Sequence, residues 1–319
     1  AAFGAFALQA NTTGTYNVGI GCSALAANTT ADNNTAVGYA ALVSNTTGDR
    51  NVAVGRDALY SCSTHAANTA IGFEALKLNT ANSNTAVGAY ALDANTTGGD
   101  NCALGSQALG ANTTGASNCA FGVSALYANT TASNNTAFGA SALGANTTGG
   151  NNTAVGKQAL TANTTADYNT SLGSGSLKTN TVGEKNVAVG YAALEDNVDG
   201  DGNTAAGYNA LANNTGANRN TAFGFEALYT ATTGGSNQAV GHYALYNLTT
   251  GGSNAALGNS AGYSVTTASN NAFIGNDAGR AASPSGEVTT ADNNIVLGNN
   301  NISNLYCADT SISSSDARD

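Results

Sequence analysis

The stretch "NTAVGYAALVSNTTG", from Asn34 to Gly48, is one copy of a motif that this chain repeats along most of its length. The motif returns as "NTAVGAYALDANTTG" from Asn84 and as "NTAVGKQALTANTTA" from Asn152. Self-similarity at a short fixed period is the signature of a solenoid, and it decides the fold before any local propensity does.

The glycine of "AVG" measures the period. It stands at Gly4 and recurs every 17 residues as far as Gly275, with one interval of 16 between Gly72 and Gly88 and a last interval of 23 before Gly298. Seventeen residues are too few for a helix pair or a propeller blade. They fit one coil of a parallel β-solenoid (β-roll) with two short strands and two turns. The sequence therefore predicts an all-β rod of roughly 80 Å at the usual strand spacing.

Positions within the coil form columns. Asn stands four residues before the anchor glycine in all 17 coils that have the position, and an apolar residue always stands one before it. Leu stands four residues after it in 15 of 17 coils, failing only at Gly262 and Gly279. Stacked Asn side chains can hydrogen-bond along the axis, and stacked apolar side chains form a continuous core. The predicted ladder residues include Asn34, Asn51, Asn135, Asn152, Gly38, Gly55, Gly139, Gly156, Leu42, Leu59, Leu143 and Leu160.

Alternation along the strand "N-T-A-V-G" predicts the oligomeric state. Alternate residues face opposite ways, and the Leu column suggests that Thr and Val face the coil interior. The Ala between them, present in 14 of 18 coils, then faces outward. A strand that is apolar on both faces is buried on both. We therefore expect the Ala column to contact other copies of the chain in a homotrimer around a common axis.

Charge excludes some partners. The chain of 319 residues has a formal net charge of −10 and only 9% charged residues. An acidic chain does not fit a nucleic-acid partner, and no apolar run reaches the length of a membrane span. His65 and His242 fall in different columns without a matching Asp and Ser, and the acidic residues are dispersed. We expect no enzymatic activity and no cofactor.

The acidic loop "EDNVDGDGNT", residues 195–204, is the candidate cation site. Asp199, Asp201 and Asn203 place alternating oxygens as calcium loops do. However, Asn203 belongs to the Asn ladder, and Thr204 stands where a calcium loop needs glycine. A solvated turn is the preferred interpretation, and no metal is predicted.

Cysteine and tyrosine give two further expectations. Cys102 and Cys119 share a column one coil apart, and side chains in register point the same way, which fits disulfide geometry poorly. We expect them to be buried small hydrophobes; Cys22, Cys62 and Cys307 are scattered. Tyrosines just outside the core columns, such as Tyr39, either contact a glycan or receptor or fill turns.

The pattern Asn-x-Ala-x-Gly-x-x-Ala, as in "NTAVGYAA", resembles the head repeats of trimeric autotransporter adhesins. Those heads are left-handed parallel β-rolls in which three chains pack around one axis, with a period shorter than 17. The resemblance implies a trimeric β-roll.

A second resemblance lies at the other end. The segment "NNIVLGNNNISNLYCADTSISSSDARD", residues 293–319, resembles the one that leads into the endosialidase-type intramolecular chaperone of bacteriophage tail fibres and spikes. That family opens its chaperone with Ser-Asp-x-Arg-x-Lys, and residues 315–319 match its first five places. The resemblance implies self-cleavage before Ser315, with Ser315 as nucleophile and a Lys in the place after Asp319.

These observations predict three regions. Residues 1–275 form the shaft, 276–314 a loop and capping segment, and 315–319 the start of the chaperone. The lost Leu column, Pro284 and the long last interval predict that the solenoid stops near Gly275. A loop should then lead into a cap over residues 291–305, in which "NIVLG" restores one last strand.

The predicted function is the structural shaft of a phage tail fibre or similar virion appendage. Its partners would be itself, other tail proteins and a host receptor or glycan. The alternative is a bacterial trimeric surface adhesin. An ice-binding solenoid is disfavoured, because ice faces place Thr-x-Thr hydroxyls on one side and here the threonines are adjacent.

Overall fold

The computed structural model describes residues 1–303. They form a stack of coils whose strands make one parallel sheet. Each coil adds one strand, and each strand pairs in register with the strands of the coils before and after it, as Ala154 pairs with Ala137. The strands are β1 Ala2–Phe3, β2 Val18–Ile20, β3 Thr35–Val37, β4 Val52–Val54, β5 Thr69–Ile71, β6 Thr85–Val87, β7 Cys102–Leu104, β8 Cys119–Phe121, β9 Thr136–Phe138, β10 Thr153–Val155, β11 Thr170–Leu172, β12 Val187–Val189, β13 Thr204–Ala206, β14 Thr221–Phe223, β15 Gln238–Val240, β16 Ala255–Leu257, β17 Ala272–Ile274 and β18 Ile295–Leu297. The predicted all-β solenoid of about 17-residue coils is confirmed, but within residues 1–303 each coil has one strand and not the two that were predicted.

The anchor glycine ends each strand for two reasons. Gly139 has a φ of 142°, which side-chain-bearing residues rarely adopt. A Cβ at Gly139 would also lie 2.5 Å from the carbonyl oxygen of Gly156 in the next coil. Positive φ and close backbone approach therefore both favour glycine at this column.

Three further columns hold left-handed residues that carry side chains. In the coil of Gly139, φ is 56° at Ser141 and 51° at Leu143, and before the next strand it is 58° at Asn151. The same three columns are left-handed in the coils anchored from Gly4 to Gly275. None of them contains Val, Ile or Thr, although Thr is abundant elsewhere. A β-branched side chain is a steric outlier in this region of φ, which accounts for the absence.

The segment after the glycine also stacks through its backbone. The N–H of Leu143 donates to the carbonyl of Ala159 at 3.0 Å, and that of Thr147 donates to the carbonyl of Thr164 at 2.9 Å. Each coil is thus hydrogen-bonded to its neighbours on both sides of the anchor glycine. Backbone hydrogen bonds therefore join the coils in the segment after the glycine as well as in the sheet.

The core contains Leu and Ala. Leu143 has no exposed surface, and neither do the strand residue Ala137 and its neighbour across the coil, Ala142. The predicted Leu core is confirmed, and Leu42, Leu59 and Leu160 are equally buried.

The predicted facing of the strand is wrong. The Ala column points inward, and the Thr and Val columns, such as Thr153 and Val155, point outward and are partly or largely exposed. Alternation itself holds, but its phase is reversed. Leu from the opposite wall already fills the interior of a 17-residue coil, so only a small residue fits opposite it.

The predicted Asn ladder is present, and its members from Asn17 to Asn271 are buried. The Oδ1 atom of Asn135 accepts the N–H of Asn152 at 3.0 Å, and the Nδ2 of Asn152 donates to the carbonyl of Ala166 at 2.8 Å. Asn34 and Asn51 repeat the pattern at the other end of the rod. The ladder thus satisfies backbone groups at the turn before each strand.

A second Asn ladder, which was not predicted, runs through the column seven residues after the anchor glycine. The Nδ2 of Asn146 donates to Oδ1 of Asn129 at 2.9 Å and to the carbonyl of Gly149 at 2.8 Å. This column is broken where Cys62 and then Ala231 replace Asn. The two asparagines just before those breaks, Asn45 and Asn214, are the ones whose buried Oδ1 atoms lack a partner.

In the last coils, the large core residue comes from the strand instead of from the Leu column. Gly262 and Gly279 remove two leucines, and Phe273 replaces the inward Ala of the strand between them. Phe273 is fully buried, and a Cβ at Gly279 would lie 2.5 Å from its ring. One large side chain from the strand therefore fills the space that the leucines leave.

The last strand predicted at "NIVLG" is present as β18, but it continues the same stack past Gly275, contrary to the predicted end. Strand β18 pairs with β17, and Oδ1 of Asn271 accepts the N–H of Asn294 at 2.8 Å, so the Asn ladder also continues. The extra residues of the long interval form a loop that the N–H of Val288 closes on the carbonyl of Gly279 at 2.9 Å. The last interval is an ordinary coil with an inserted loop.

Candidate functional site

The most distinctive surface is the outward side of the sheet, here called the outer face: the residues one and three before each anchor glycine. The column next to the glycine is apolar in every coil, and neither column contains a charged residue. Phe138 is 53% exposed and Leu257 is 55% exposed. The large apolar side chains exposed on it are Phe3, Ile20, Ile71, Leu104, Phe138, Leu172, Val187, Val189, Phe223, Val240, Leu257, Ile274, Ile295 and Leu297.

The outer face is continuous along the rod. Because strands pair in register, equivalent side chains stack, as Phe121 and Phe138 do with ring centroids 4.9 Å apart. Large contiguous apolar patches on soluble proteins mark interaction surfaces. This one extends from the first strand to the last.

The charges lie on the other sides of the rod. The ion pairs within residues 1–303 join side chains outside the strands, for example Lys178 with Glu195 at 3.1 Å and Arg56 with Asp57 at 3.1 Å. The side chains that pair are partly exposed, so each contributes little to stability. The rod therefore has one uncharged side and a polar, charged remainder.

Of the cysteines within residues 1–303, one lies in the core, two lie on the outer face, and Cys22 is exposed next to its anchor glycine. Cys102 and Cys119 are free thiols, paired in register on the outer face and partly exposed, so the expectation that they are buried is wrong. Partial burial, and next the neighbouring Cys102, raise the pKa of Cys119. Cys62 is the buried one, in the second Asn ladder, and burial raises its pKa to about 11.

The candidate cation site is not brought together. Asn203 is buried in the ladder, whereas Asp199 and Asp201 are exposed, and Oδ1 of Asp201 accepts the N–H of Glu184 at 2.7 Å. Among residues 1–303 no group of three His, Cys, Asp or Glu side chains could hold a metal ion. Ser315 and Cys307 lie outside the described residues.

Aromatic side chains form two stacked rows near the C-terminal end. One contains Tyr191, Tyr208, Phe225 and His242, with centroids 5.1 to 5.3 Å apart. The other contains Tyr229, Tyr246 and Tyr263, with centroids 5.3 Å apart. His242 thus serves as a ring in a row, and His65 lies in another part of the rod.

No protein-family model matches this chain, and no curated protein matches it. Within residues 1–303, no helix is long and apolar enough to cross a membrane. The functional proposal accordingly rests on the geometry of the rod and on the two sequence resemblances.

Proposed function

We propose that the chain is the shaft of a homotrimeric fibre in which the outer faces of three copies pack against one another. The observation that supports this is the continuous, uncharged and exposed apolar outer face. Burying it between chains removes apolar surface from water along the whole rod, at roughly 25 cal/mol for each Å².

The partner that fits this face is another copy. A single partner covering it from β1 to β18 must be as long as the rod and repeat at the same strand spacing. A second copy in register meets both requirements. Each outer face has one column of large apolar residues and one mainly of Thr, Val, Ala and Cys. In a closed ring of three, each copy uses one column toward each neighbour, which is a heterologous contact.

Stiffness is the proposed activity. Backbone and Asn ladders hold every coil to the next, so the rod can carry a recognition region away from its base. The Ser315–Asp319 motif supports a phage tail fibre on a virion, with tail proteins and a host receptor as partners. The strand motif supports the alternative, an adhesin on a bacterial surface.

The solution mass of the full chain tests the trimer. Light scattering should give three times the chain mass. Val155→Lys with Leu172→Lys places charges on the outer face, and we expect a monomer that keeps its β-type circular dichroism. Ala140→Lys with Ser174→Lys is the control, because both positions are exposed in the column that already contains Lys157; it should stay trimeric. A wild-type monomer, or a trimer that tolerates the outer-face lysines, would overturn the proposal.

Self-cleavage distinguishes a phage tail fibre from a bacterial surface adhesin. A longer chain that includes the region after Asp319 should split into two fragments, and Ser315→Ala should leave it as one band. An uncleaved wild-type chain that ends in a membrane-anchor barrel would instead support the adhesin.

A further inference from the structure

A small cavity interrupts the segment that follows the anchor glycines. In the outward column five residues after the glycine, four consecutive coils read Asp93, Gly110, Tyr127 and Gly144. Gly110 has no side chain to fill its place, and a cavity of about 190 Å³ lies there. Its lining is Tyr90, Asp93, Gln107, Gly110, Ala111 and Tyr127.

Tyr127 has no aromatic residue beside it in its column. Its neighbours in the column are Gly110 and Gly144, so no ring of the same column covers either face. A Cβ added at Gly110 would lie 3.4 Å from two carbons of the Tyr127 ring, which shows how closely the ring borders the empty place. Tyr90, on the other side, is braced by an edge contact with Phe73 at 5.3 Å between centroids.

The larger aromatic rows do not offer the same opportunity. Tyr229, Tyr246 and Tyr263 stack with interplanar angles of 14° and 9°, so their faces cover one another and their edges face outward. A sugar ring stacks on the face of an aromatic ring, and within the rows neighbouring rings cover these faces; at the end ring Tyr263 the Arg280 guanidinium lies 5.0 Å from the ring centroid. The sequence-based expectation of glycan contact along the tyrosines is therefore best met at the Tyr127 cavity.

The polar groups of the cavity suit hydroxyls. The Asp93 carboxylate accepts hydrogen bonds, and the Gln107 amide both donates and accepts. Partial burial, the largest cause, raises the pKa of Asp93, so its carboxylate is partly removed from water. A hydrogen bond from a ligand hydroxyl to such a carboxylate is stronger than one between neutral groups. No Lys or Arg lines the cavity, which disfavours phosphates and acidic sugars.

We propose that this cavity binds one uncharged pyranose unit, with the sugar ring against Tyr127 and its hydroxyls on Asp93 and Gln107. Aromatic side chains with a few placed polar groups are the usual composition of a small-ligand site. The volume admits one sugar ring and not a chain. The lining residues lie outside the strands, so the site stands whether or not the outer face is covered by other copies.

Ligand-observed NMR on the full chain tests the proposal, with glucose, galactose, mannose and N-acetylglucosamine as probes. We expect at least one to bind with a Kd on the order of 1 mM, near the weak end of measured affinities. Gly110→Thr fills the cavity, and Tyr127→Ala removes the ring; each should weaken binding at least tenfold.

Two matched controls share the column. Gly144→Thr introduces the same side chain two coils further on, where a Cβ is about as close to a backbone oxygen (3.2 Å) as at Gly110 (3.3 Å). Tyr60→Ala removes an exposed tyrosine elsewhere in the column. Both should keep wild-type affinity.

Three outcomes would overturn the proposal: no probe binds, binding survives Gly110→Thr, or a control loses binding as the test variants do. Choline and glucuronate are added as further probes. If choline alone binds and Gly110→Thr abolishes it, the cavity is a cation site instead. If glucuronate binds more tightly than the neutral sugars, the charge argument fails.

Discussion

Ser141 allows the backbone of the coil to be tested almost without disturbing its packing. The residue is partly exposed, lies in a left-handed column with a φ of 56°, and donates only its N–H, to the carbonyl of Val123 at 3.0 Å. Ser141→Thr adds one methyl group on Cβ, whereas Ser141→Gly removes Cβ altogether. If the left-handed column excludes β-branched residues for steric reasons, the two changes should act in opposite directions.

The magnitudes follow from the conformation. A side-chain-bearing residue in the left-handed region costs roughly 1–2 kcal/mol relative to the right-handed one. A second γ atom makes the position an outlier, and such strain costs about 1–3 kcal/mol. We therefore expect Ser141→Thr to lower the free energy of unfolding by about 1–2 kcal/mol. Ser141→Gly relieves strain but adds freedom to the unfolded chain, so the net gain should be about 0.5 kcal/mol.

Denaturant unfolding followed by circular dichroism measures both changes, at one fixed protein concentration because assembly would shift the midpoint. Ser106→Thr is the control, since Ser106 is exposed one residue after its anchor glycine and is not left-handed. It should change stability by less than about 0.5 kcal/mol. If Ser141→Thr is as neutral as Ser106→Thr, the absence of Val, Ile and Thr from these columns has no backbone cause.

Three further changes test the interior. Cys62→Asn should rejoin the second Asn ladder, because its Nδ2 can donate to the partnerless Oδ1 of Asn45 and its Oδ1 can accept from Asn79, and should raise the free energy of unfolding by about 1 kcal/mol; an unchanged midpoint would mean that the Asn45 oxygen is already satisfied. Phe273→Ala should lower it by about 3–5 kcal/mol, and adding Gly262→Leu should recover part of the loss, since Leu occupies that column in earlier coils; no recovery would contradict the exchange. Ala137→Arg should abolish the β-type circular dichroism, because it buries an unpaired charge; a folded rod would return the Ala column to the surface.

The fold was largely readable from the spacing. A fixed interval of 17 residues, with glycine, Asn and Leu at set offsets, admits one stacked architecture, and Leu143 and Asn135 are buried where the columns placed them. The end of the stack was not readable. Gly279 and the long last interval suggested a stop, because a sequence pattern does not show that Phe273 fills the core or that a loop leaves the coil without changing its register.

The left-handed columns can be recognised in the sequence by the residue types that they lack. The positions equivalent to Ser141 and Asn151 vary in size, charge and polarity along the chain, and the position of Leu143 is Leu or Gly, yet Val, Ile and Thr are missing from all three columns in the coils anchored from Gly4 to Gly275. The missing residue types therefore mark the left-handed columns in the sequence. The second Asn ladder, through Asn146, was equally visible in the repeated "ANTT".

The reversed phase of the strand also bears on the proposal that the outer face packs against other copies. Leu143 and Ala137 complete the interior, so the large residue beside each glycine contributes nothing to the core of its own chain. That column nevertheless remains apolar in every coil, while its size varies from Ala206 to Phe138. If the column only faced solvent, charged residues would be expected in it. If it packed into the repeating core of its own chain, its residues would be expected to have one size. The proposed contact with other chains would keep the column apolar and let its volume differ from coil to coil, which is the pattern this sequence has.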